Sequence, residues 1–255
     1  MPRLLKYVVG DILRGRIVLG YAGFLLLAAF GLFNLAGDLP KGLVGLLSLV
    51  LIAVPLVSIV FASSHYYQSY EFLELLAAQP LPRTTILLAQ AAGVSLALCG
   101  ALLVGIGLPL LVYTPGLTAL SLLAVSLVLT VVFTHFAFLA AVALRDKGRG
   151  IGFALLVWFY FALLHDGLTL YVLFLLQEYP LEGVSLGLLA LNPIDLARVL
   201  VLLQMDVSAL LGYTGALLKD FLGTGLGLGF AAAVLAGWIA LPLGGALWVF
   251  RRKDL

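Results

Sequence analysis

The chain carries few side chains that could bind a metal ion or act as a nucleophile. Its three histidines, His65, His135 and His165, lie on separate segments, and a single cysteine excludes an internal disulfide bond. A zinc protease needs two histidines four residues apart beside a glutamate, and a hydrolase needs a nucleophile next to a base. None of the histidines begins such a motif. We therefore predict no catalytic residue, no metal site and no cofactor in this chain.

One ionisable pair interrupts the fifth long apolar segment. His165 and Asp166 lie about two-thirds of the way along it, at a depth where ionisable side chains are costly and therefore suggest a function. Adjacent residues do not share one face of a helix. We interpret the pair as a candidate polar pathway, either a satisfied pair beside a water-filled vestibule or part of a proton relay.

Residues 70–83 have the pattern of a short amphipathic helix on the membrane surface. Glu71 and Glu74 are three residues apart and share a helix face. The helix must end before Pro80, because the residue before a proline disfavours the α conformation. We predict that this helix docks a soluble partner. The predicted contact residues are Tyr70, Glu71, Phe72, Leu73, Glu74, Leu75, Leu76, Pro80, Leu81 and Arg83.

A second candidate contact region precedes the last apolar segment. Asn192 and Pro193 are residue types preferred at a helix N-cap and first position, and Asp195 follows where the helix dipole favours an acid. Asp195 and Arg198 are three residues apart and can pair. We interpret the region as a partner site, and the alternative is a helix pair that only packs on neighbouring loops. The predicted contact residues are Asn192, Pro193, Asp195, Arg198, Ser208, Gly212, Tyr213 and Gly215.

The composition places these segments in a membrane protein. Of 255 residues, 64% are hydrophobic and 10% charged, with a mean hydropathy of +1.20, whereas soluble domains are about 45–50% apolar and about 25% charged. A bilayer core of about 30 Å takes about 20 apolar residues per helix. We predict an all-α integral membrane protein with transmembrane helices at residues 17–36, 43–62, 85–112, 117–144, 151–176 and 224–250.

Three other segments complete a single membrane domain over residues 1–255. Residues 2–16 suit an amphipathic helix at the membrane interface, or an extension of the first span. Residues 65–83 form the loop with the docking helix, and residues 177–223 form a helical region on the opposite side. The net charge of +2 gives no clustered basic face for nucleic acid.

The basic residues predict the orientation. Eleven of the 14 fall on the side of the membrane to which six spans assign both termini. Because Lys and Arg accumulate in cytoplasmic segments, we predict cytoplasmic termini and an extracytoplasmic region 177–223. The eleven are Arg3, Lys6, Arg14, Arg16, Arg83, Arg145, Lys147, Arg149, Arg251, Arg252 and Lys253.

The YEFLELLAAQPLPR segment after the second span resembles the coupling element of type-2 ABC permeases. Tyr70 and Phe72 depart from the Arg and the small residue that many members carry there. The resemblance implies a membrane subunit whose coupling element contacts a separate ABC ATPase, which binds ATP and Mg²⁺. This chain has no G-x-x-x-x-G-K-[ST] phosphate-binding run, so we expect ATP hydrolysis only in that partner. The matching residues are Glu71, Leu73, Glu74, Leu75, Leu76, Pro80, Leu81 and Arg83.

Residues 191–224 are similar to the last extracytoplasmic region of NosY-type permeases. The resemblance implies an inner-membrane homodimer that works with a periplasmic accessory protein. It also implies that this transporter supports assembly of the copper–sulfur centre of nitrous oxide reductase. Thiol, thioether and imidazole groups select copper, but they are too scattered here for a copper path. We expect movement of a sulfur species or mechanical action on the partner. The matching residues are Asn192, Pro193, Asp195, Arg198, Leu200, Ser208, Leu211, Gly212, Tyr213, Thr214 and Gly215.

Two alternatives stay open on the sequence. The first is a generic type-2 exporter permease for a lipid, a drug or another small molecule. The second is a membrane scaffold that holds a periplasmic maturation factor without transporting anything. A secondary transporter is disfavoured, because the chain has few buried charges and no visible inverted repeat.

Overall fold

The computed structural model describes residues 8–10, 12–13, 15–77, 82–178, 181–205 and 221–252. All regular elements within these residues are helices, which confirms the predicted all-α class. Six helices are long and apolar enough to cross a membrane, as predicted. They are α1 (Arg16–Leu35), α2 (Leu39–Gln68), α4 (Arg83–Tyr113), α5 (Leu117–Ala143), α6 (Lys147–Leu175) and α9 (Gly225–Arg252).

Three shorter helices lie at the two ends of this bundle. Helix α3 (Tyr70–Ala77) follows α2 at the end where α5 stops and α6 begins, and we call this side the α3 face. Helices α7 (Leu181–Ala190) and α8 (Pro193–Gln204) lie between α6 and α9 at the opposite end, which we call the α8 face. The chain bends by 115° between α7 and α8.

Helices α2 and α6 begin four residues before their predicted starts at 43 and 151, because an aspartate caps each of them. Asp38 accepts a hydrogen bond from the backbone N–H of Lys41 at 2.9 Å, and Asp146 accepts one from Arg149 at 2.8 Å. Such side chains satisfy backbone donors that a helix start leaves unpaired. Helix α2 also continues to Gln68. His65 therefore lies within α2 and not in the loop predicted to begin there.

Helix α5 forms the centre of the bundle. It contacts α2, α4, α6, α8 and α9, and 61% of its apolar stretch is buried, against 22% for α6 and α9. A helix that is apolar all round must be covered either by protein or by lipid. Helices α6 and α9 therefore lie at the periphery, with broad apolar surfaces available to the bilayer.

The described part of the predicted interfacial helix packs against α4. Residues 8–10 and 12–13 are helical, and Ile12 is 4% exposed within the core. Val8 lies directly over Gly93, where a Cβ atom would overlap the valine side chain. The other residues of the predicted helix 2–16 that precede α1 lie outside the described residues, apart from Gly15.

Two of the spans contain a π-helical turn. One covers Leu103–Gly107 in α4 and the other covers Tyr160–Leu164 in α6. A π turn shifts the backbone hydrogen bonds from i+4 to i+5 and is frequent at functional sites. The turn in α4 brings Gly105 against α1, where a Cβ atom would lie 2.6 Å from Cβ of Leu25 and 2.9 Å from the carbonyl oxygen of Ala22.

Substituting Gly105 by Ala should therefore destabilise the bundle by about 1–2 kcal/mol, because the added methyl group forces α1 and α4 apart. Gly20 is the matched control, since it is exposed on α1 and a Cβ atom added there would have no other atom within 4 Å. Gly20→Ala should be neutral or stabilising by up to about 1 kcal/mol through helix propensity. Thermal unfolding of the two variants in detergent measures the difference, and equal midpoints would contradict the close approach at Gly105.

Candidate functional site

Helix α3 is joined to α2 by one residue. The Ser69 backbone N–H donates to the carbonyl of His65 at 3.0 Å and closes α2, and the Leu73 N–H donates to the Ser69 carbonyl at 2.9 Å and opens α3. The Ser69 hydroxyl also donates to the His65 carbonyl at 2.8 Å. Since no flexible linker separates the two helices, a displacement of α3 acts directly on the end of α2.

The two sides of α3 differ in burial. Leu73 and Leu76 are 0% and 7% exposed and anchor the helix on the bundle, whereas Phe72 and Leu75 are 46% and 68% exposed. Glu71 is exposed beside them. Exposed apolar side chains rimmed by polar residues mark protein or membrane interaction sites. This exposed side, defined by Glu71, Phe72 and Leu75, is called the α3 surface below.

The other predicted docking residues occupy different positions. Tyr70 is half-buried against the core, and Arg83 is the first residue of α4. Glu74 belongs to α3, but its side chain lies outside the described residues, as do Pro80 and Leu81. Pro82 has extended backbone angles and occupies the N-cap position of α4.

A tyrosine at the end of α2 contacts the junction between α5 and α6. The Tyr67 hydroxyl donates to the carbonyl oxygen of Leu144 at 3.0 Å and approaches that of Ala141 at 3.4 Å. Leu144 is the C-cap of α5, where helix carbonyls lack donors from their own helix. The same hydroxyl lies against Gly150 in the first turns of α6, where any Cβ atom would overlap it.

At the α8 face, Asn192 joins α8 to the π turn of α6. Its side-chain oxygen accepts from the backbone N–H of Ile194 at 2.9 Å and caps α8. Its amide nitrogen donates to the carbonyl oxygen of Phe161 at 2.9 Å and to Oδ2 of Asp195 at 2.7 Å. Phe161 lies within the π turn, and Asn192 is fully buried.

Four charged or titratable side chains form a cluster beside Asn192. His165 Nδ1 lies 3.1 Å from Oδ2 of Asp195 and 3.3 Å from the Thr169 hydroxyl. Arg198 Nη1 donates to Oδ2 of Asp166 at 3.2 Å. It also lies 3.1 Å from Oδ1 of Asp195, as an ion pair that lacks hydrogen-bond alignment. The predicted pairing of Asp195 with Arg198 is confirmed, and the cluster also fastens α8 to α6.

The electrostatics of this cluster follow from its burial. Asp195 lies on α8, outside the six spanning helices, and burial raises the pKa of its carboxyl to about 6, with the neighbouring Asp166 adding to the rise. Donor atoms of His165, Asp166 and Asp195 lie within 4.8 Å of one another. The guanidinium of Arg198 already lies between the two carboxylates, so we assign the group as an ion-pair network and not as a metal site.

Three of the four predicted partner residues that the structure describes near α8 are largely covered by protein, and Arg198 is partly exposed. Asn192 and Pro193 are buried, Asp195 is 13% exposed at its side chain, and Arg198 is 36% exposed. Ser208, Gly212, Tyr213 and Gly215 lie outside the described residues. The association of His165 with Asp195 was not predicted, since the two residues are 30 positions apart.

The other two histidines connect helices. His135 Nδ1 donates to the carbonyl oxygen of Ile239 at 2.9 Å, in the turn of α9 that precedes Pro242, and so joins α5 to α9. His65 Nε2 lies 3.3 Å from Oε1 of Gln90 and joins α2 to α4 near the α3 face. Each histidine of the chain thus contacts a second helix, which accounts for the burial of His135 and His165.

Comparisons with known proteins agree with this architecture. Residues 73–255 match the family described as "ABC-2 family transporter protein". A "Probable ABC transporter permease protein NosY" of Pseudomonas aeruginosa is 33% identical over 230 residues, covering 86% of this chain and 82% of that protein. A protein of the same name from Stutzerimonas stutzeri is 31% identical over 233 residues, covering 85% and 82%. The chain therefore belongs to the ABC-2 transporter family, as a membrane permease component similar to NosY.

Proposed function

We propose that this chain is the membrane subunit of an ATP-driven transporter that supports assembly of the copper–sulfur centre of nitrous oxide reductase. The observation that carries the proposal is the α3 surface, in a chain similar to NosY permeases over most of its length. In this proposal the α3 face is cytoplasmic and holds both termini. The ATPase docks there and binds ATP and Mg²⁺, and two copies of this chain form a homodimer in the inner membrane.

The chemistry of the docking site follows from the exposed side chains. Phe72 and Leu75 need an apolar recess on the ATPase, and Glu71 needs a basic or hydrogen-bond-donating neighbour. Leu73 and Leu76 hold α3 on the bundle. The ATPase would therefore bind the exposed side of α3, while the buried side stays packed on the permease.

At the α8 face, the proposal includes a periplasmic accessory protein. Asn192, Pro193 and Asp195 would act there by holding α8 against α6, while Ser208, Gly212, Tyr213 and Gly215 would belong to the contact region itself. Mechanical action on this partner is favoured over conduction of free copper, because the three histidines all engage protein groups. Movement of a sulfur species is compatible with the same arrangement.

Glu71→Lys with Glu74→Lys should reduce permease-dependent ATP hydrolysis of the assembled complex at least tenfold, because a lysine cannot accept the ion pairs or hydrogen bonds that the proposal assigns to the docking helix. Membrane insertion should be unchanged. Glu178→Lys, an exposed charge reversal near the α8 face, is the control and should hydrolyse ATP at the wild-type rate. Wild-type turnover in the double variant would contradict the docking role.

The cellular role has a separate readout. A strain that lacks this chain should produce nitrous oxide reductase without its copper–sulfur centre, as measured by copper content and visible absorption of the purified enzyme. The wild-type chain should restore the centre, and the double lysine variant should not. If ATP hydrolysis depends on α3 but the reductase matures fully without the chain, a general exporter for a lipid, drug or small molecule is the better assignment. Full maturation with the double lysine variant would favour a scaffold.

A further inference from the structure

We propose that Tyr67 is a positioning residue that transmits displacement of α3 to the junction between α5 and α6. In this proposal Gly150 leaves the space on α6 that the Tyr67 hydroxyl occupies. The inference rests on the proposed function, in which an ATPase moves α3. It concerns a step beyond docking, since Tyr67 is not on the α3 surface. It assigns roles to two residues that no motif marks.

Tyr67 lies at the point where a displacement of α3 first reaches the spanning helices. It is in the last turn of α2, and only Gln68 and Ser69 separate it from α3. The hydrogen bonds at Ser69 make the two helices nearly continuous. A shift of α3 therefore carries the Tyr67 ring with it, without passing through a flexible segment.

The contact between the Tyr67 hydroxyl and the end of α5 is directional. Along most of their length α2, α5 and α6 meet through apolar side chains, which allow small sliding movements because dispersion contacts have little directionality. The hydroxyl instead donates to the Leu144 carbonyl at 3.0 Å, and a hydrogen bond weakens steeply when its geometry changes. Tyr67 thus resists sliding at the α3 face.

Gly150 forms the α6 side of the space that the Tyr67 hydroxyl occupies. Its backbone N–H donates to the Asp146 carbonyl at 2.9 Å in the first turn of the helix, and the residue is buried. A Cβ atom at this position would overlap both the hydroxyl and Cζ of Tyr67. Any residue other than glycine would displace the Tyr67 ring from this position. Glycine at position 150 is therefore required for a displacement of α2 to act on α5 and α6 together.

Helix α6 extends this connection across the membrane. It runs from Lys147 at the α3 face to Leu175, and its outer half holds His165 and Asp166, which contact Asp195 and Arg198 of α8. Helix α6 therefore packs against Tyr67 at Gly150 and makes polar contacts with α8 in its second half. A movement received at Gly150 would be passed to α8 at the opposite face.

Tyr67→Phe tests the role of the hydroxyl in the assembled complex with its ATPase. The variant keeps the ring and should bind the ATPase as the wild type does, but permease-dependent stimulation of ATP hydrolysis should fall at least about fivefold, the lower end of typical coupling between sites. Tyr113→Phe is the matched control, because it removes a hydroxyl that accepts from Asn34 at the opposite face. It should retain full stimulation.

Gly150→Ala should reproduce the defect of Tyr67→Phe, and the double variant should be no worse than Gly150→Ala alone, since both changes remove the same contact. Spin labels at exposed Gln68 and Lys147 give a readout that a loss of stability would not move. Their separation should stay constant on nucleotide addition in the wild type and change in Tyr67→Phe.

Two results would overturn the proposal: wild-type stimulation by Tyr67→Phe with the ATPase bound, or a label separation that responds to nucleotide equally in both proteins. Failure of the wild-type chain to bind an ATPase would instead contradict the proposed function, so the two failures are distinguishable.

Discussion

Replacing Phe72 and Leu75 by Asp should abolish binding of the ATPase to the permease while leaving the permease folded. Both side chains are exposed, at 46% and 68%, and lie outside the buried core, so an acid at either position removes little packing from the bundle. Central apolar anchors of an interface each contribute about 2 kcal/mol or more. Losing two would weaken the complex by about 4 kcal/mol, on the order of a thousandfold in Kd.

The control for this pair is Leu39→Asp with Leu117→Asp. These leucines are exposed to nearly the same degree, 47% and 65%, but they begin α2 and α5 at the opposite face of the bundle. ATPase co-purified with tagged permease from membranes measures binding. The α3 pair should lose the ATPase and the control pair should retain it. Equal retention by both pairs would contradict the assignment of the docking surface.

Asn192→Leu should be the most damaging single substitution at the α8 face, with a loss of about 3–5 kcal/mol. It leaves the Phe161 carbonyl, the Ile194 N–H and one Asp195 oxygen without the partners they have now. Each buried group left unpaired costs about 1–3 kcal/mol, and loss of a helix cap costs about 1 kcal/mol. The unfolding midpoint should fall by roughly 10 °C for a chain of this size.

Asn34→Leu is the matched control. Asn34 also donates two hydrogen bonds, to the Phe30 carbonyl at 2.8 Å and to the Tyr113 hydroxyl at 2.9 Å, but in an exposed setting where water can replace them. Its loss should be below about 1 kcal/mol. Thermal unfolding in detergent at a fixed scan rate compares the two variants, and equal midpoints would contradict the bridging role of Asn192.

The features that the sequence predicts well are local ones. Apolar runs of sufficient length predict the spans, and the spacing of Asp195 and Arg198 predicts their ion pair. The alternation of buried Leu73 and Leu76 with exposed Leu75 follows from helical periodicity alone. The starts of α2 and α6 were misplaced because their aspartate caps lie outside the apolar runs.

The missed features depend on contacts between distant segments. The π turn at Tyr160–Leu164 has the same apolar composition as the helix around it, so nothing marks it in the sequence. Tyr67 and Leu144 are 77 positions apart. In the sequence nothing distinguishes Gly150 from the other glycines of the spans, because its role depends on its contact with Tyr67. Polar residues within or beside apolar segments, such as His165 and Asn192, were the available signal, since a buried polar group requires a partner. The sequence does not identify that partner, which depends on how the helices pack.

Crosslinking from α3 determines whether an ATPase docks on this helix, as we propose. A photoreactive amino acid at Leu75 should yield, in native membranes, one adduct with a P-loop ATPase identified by mass spectrometry. The same group at Leu117, exposed at the opposite face, should yield none with that protein. If the ATPase co-purifies with the Leu75-substituted permease but crosslinks only from other positions, the docking site is wrong.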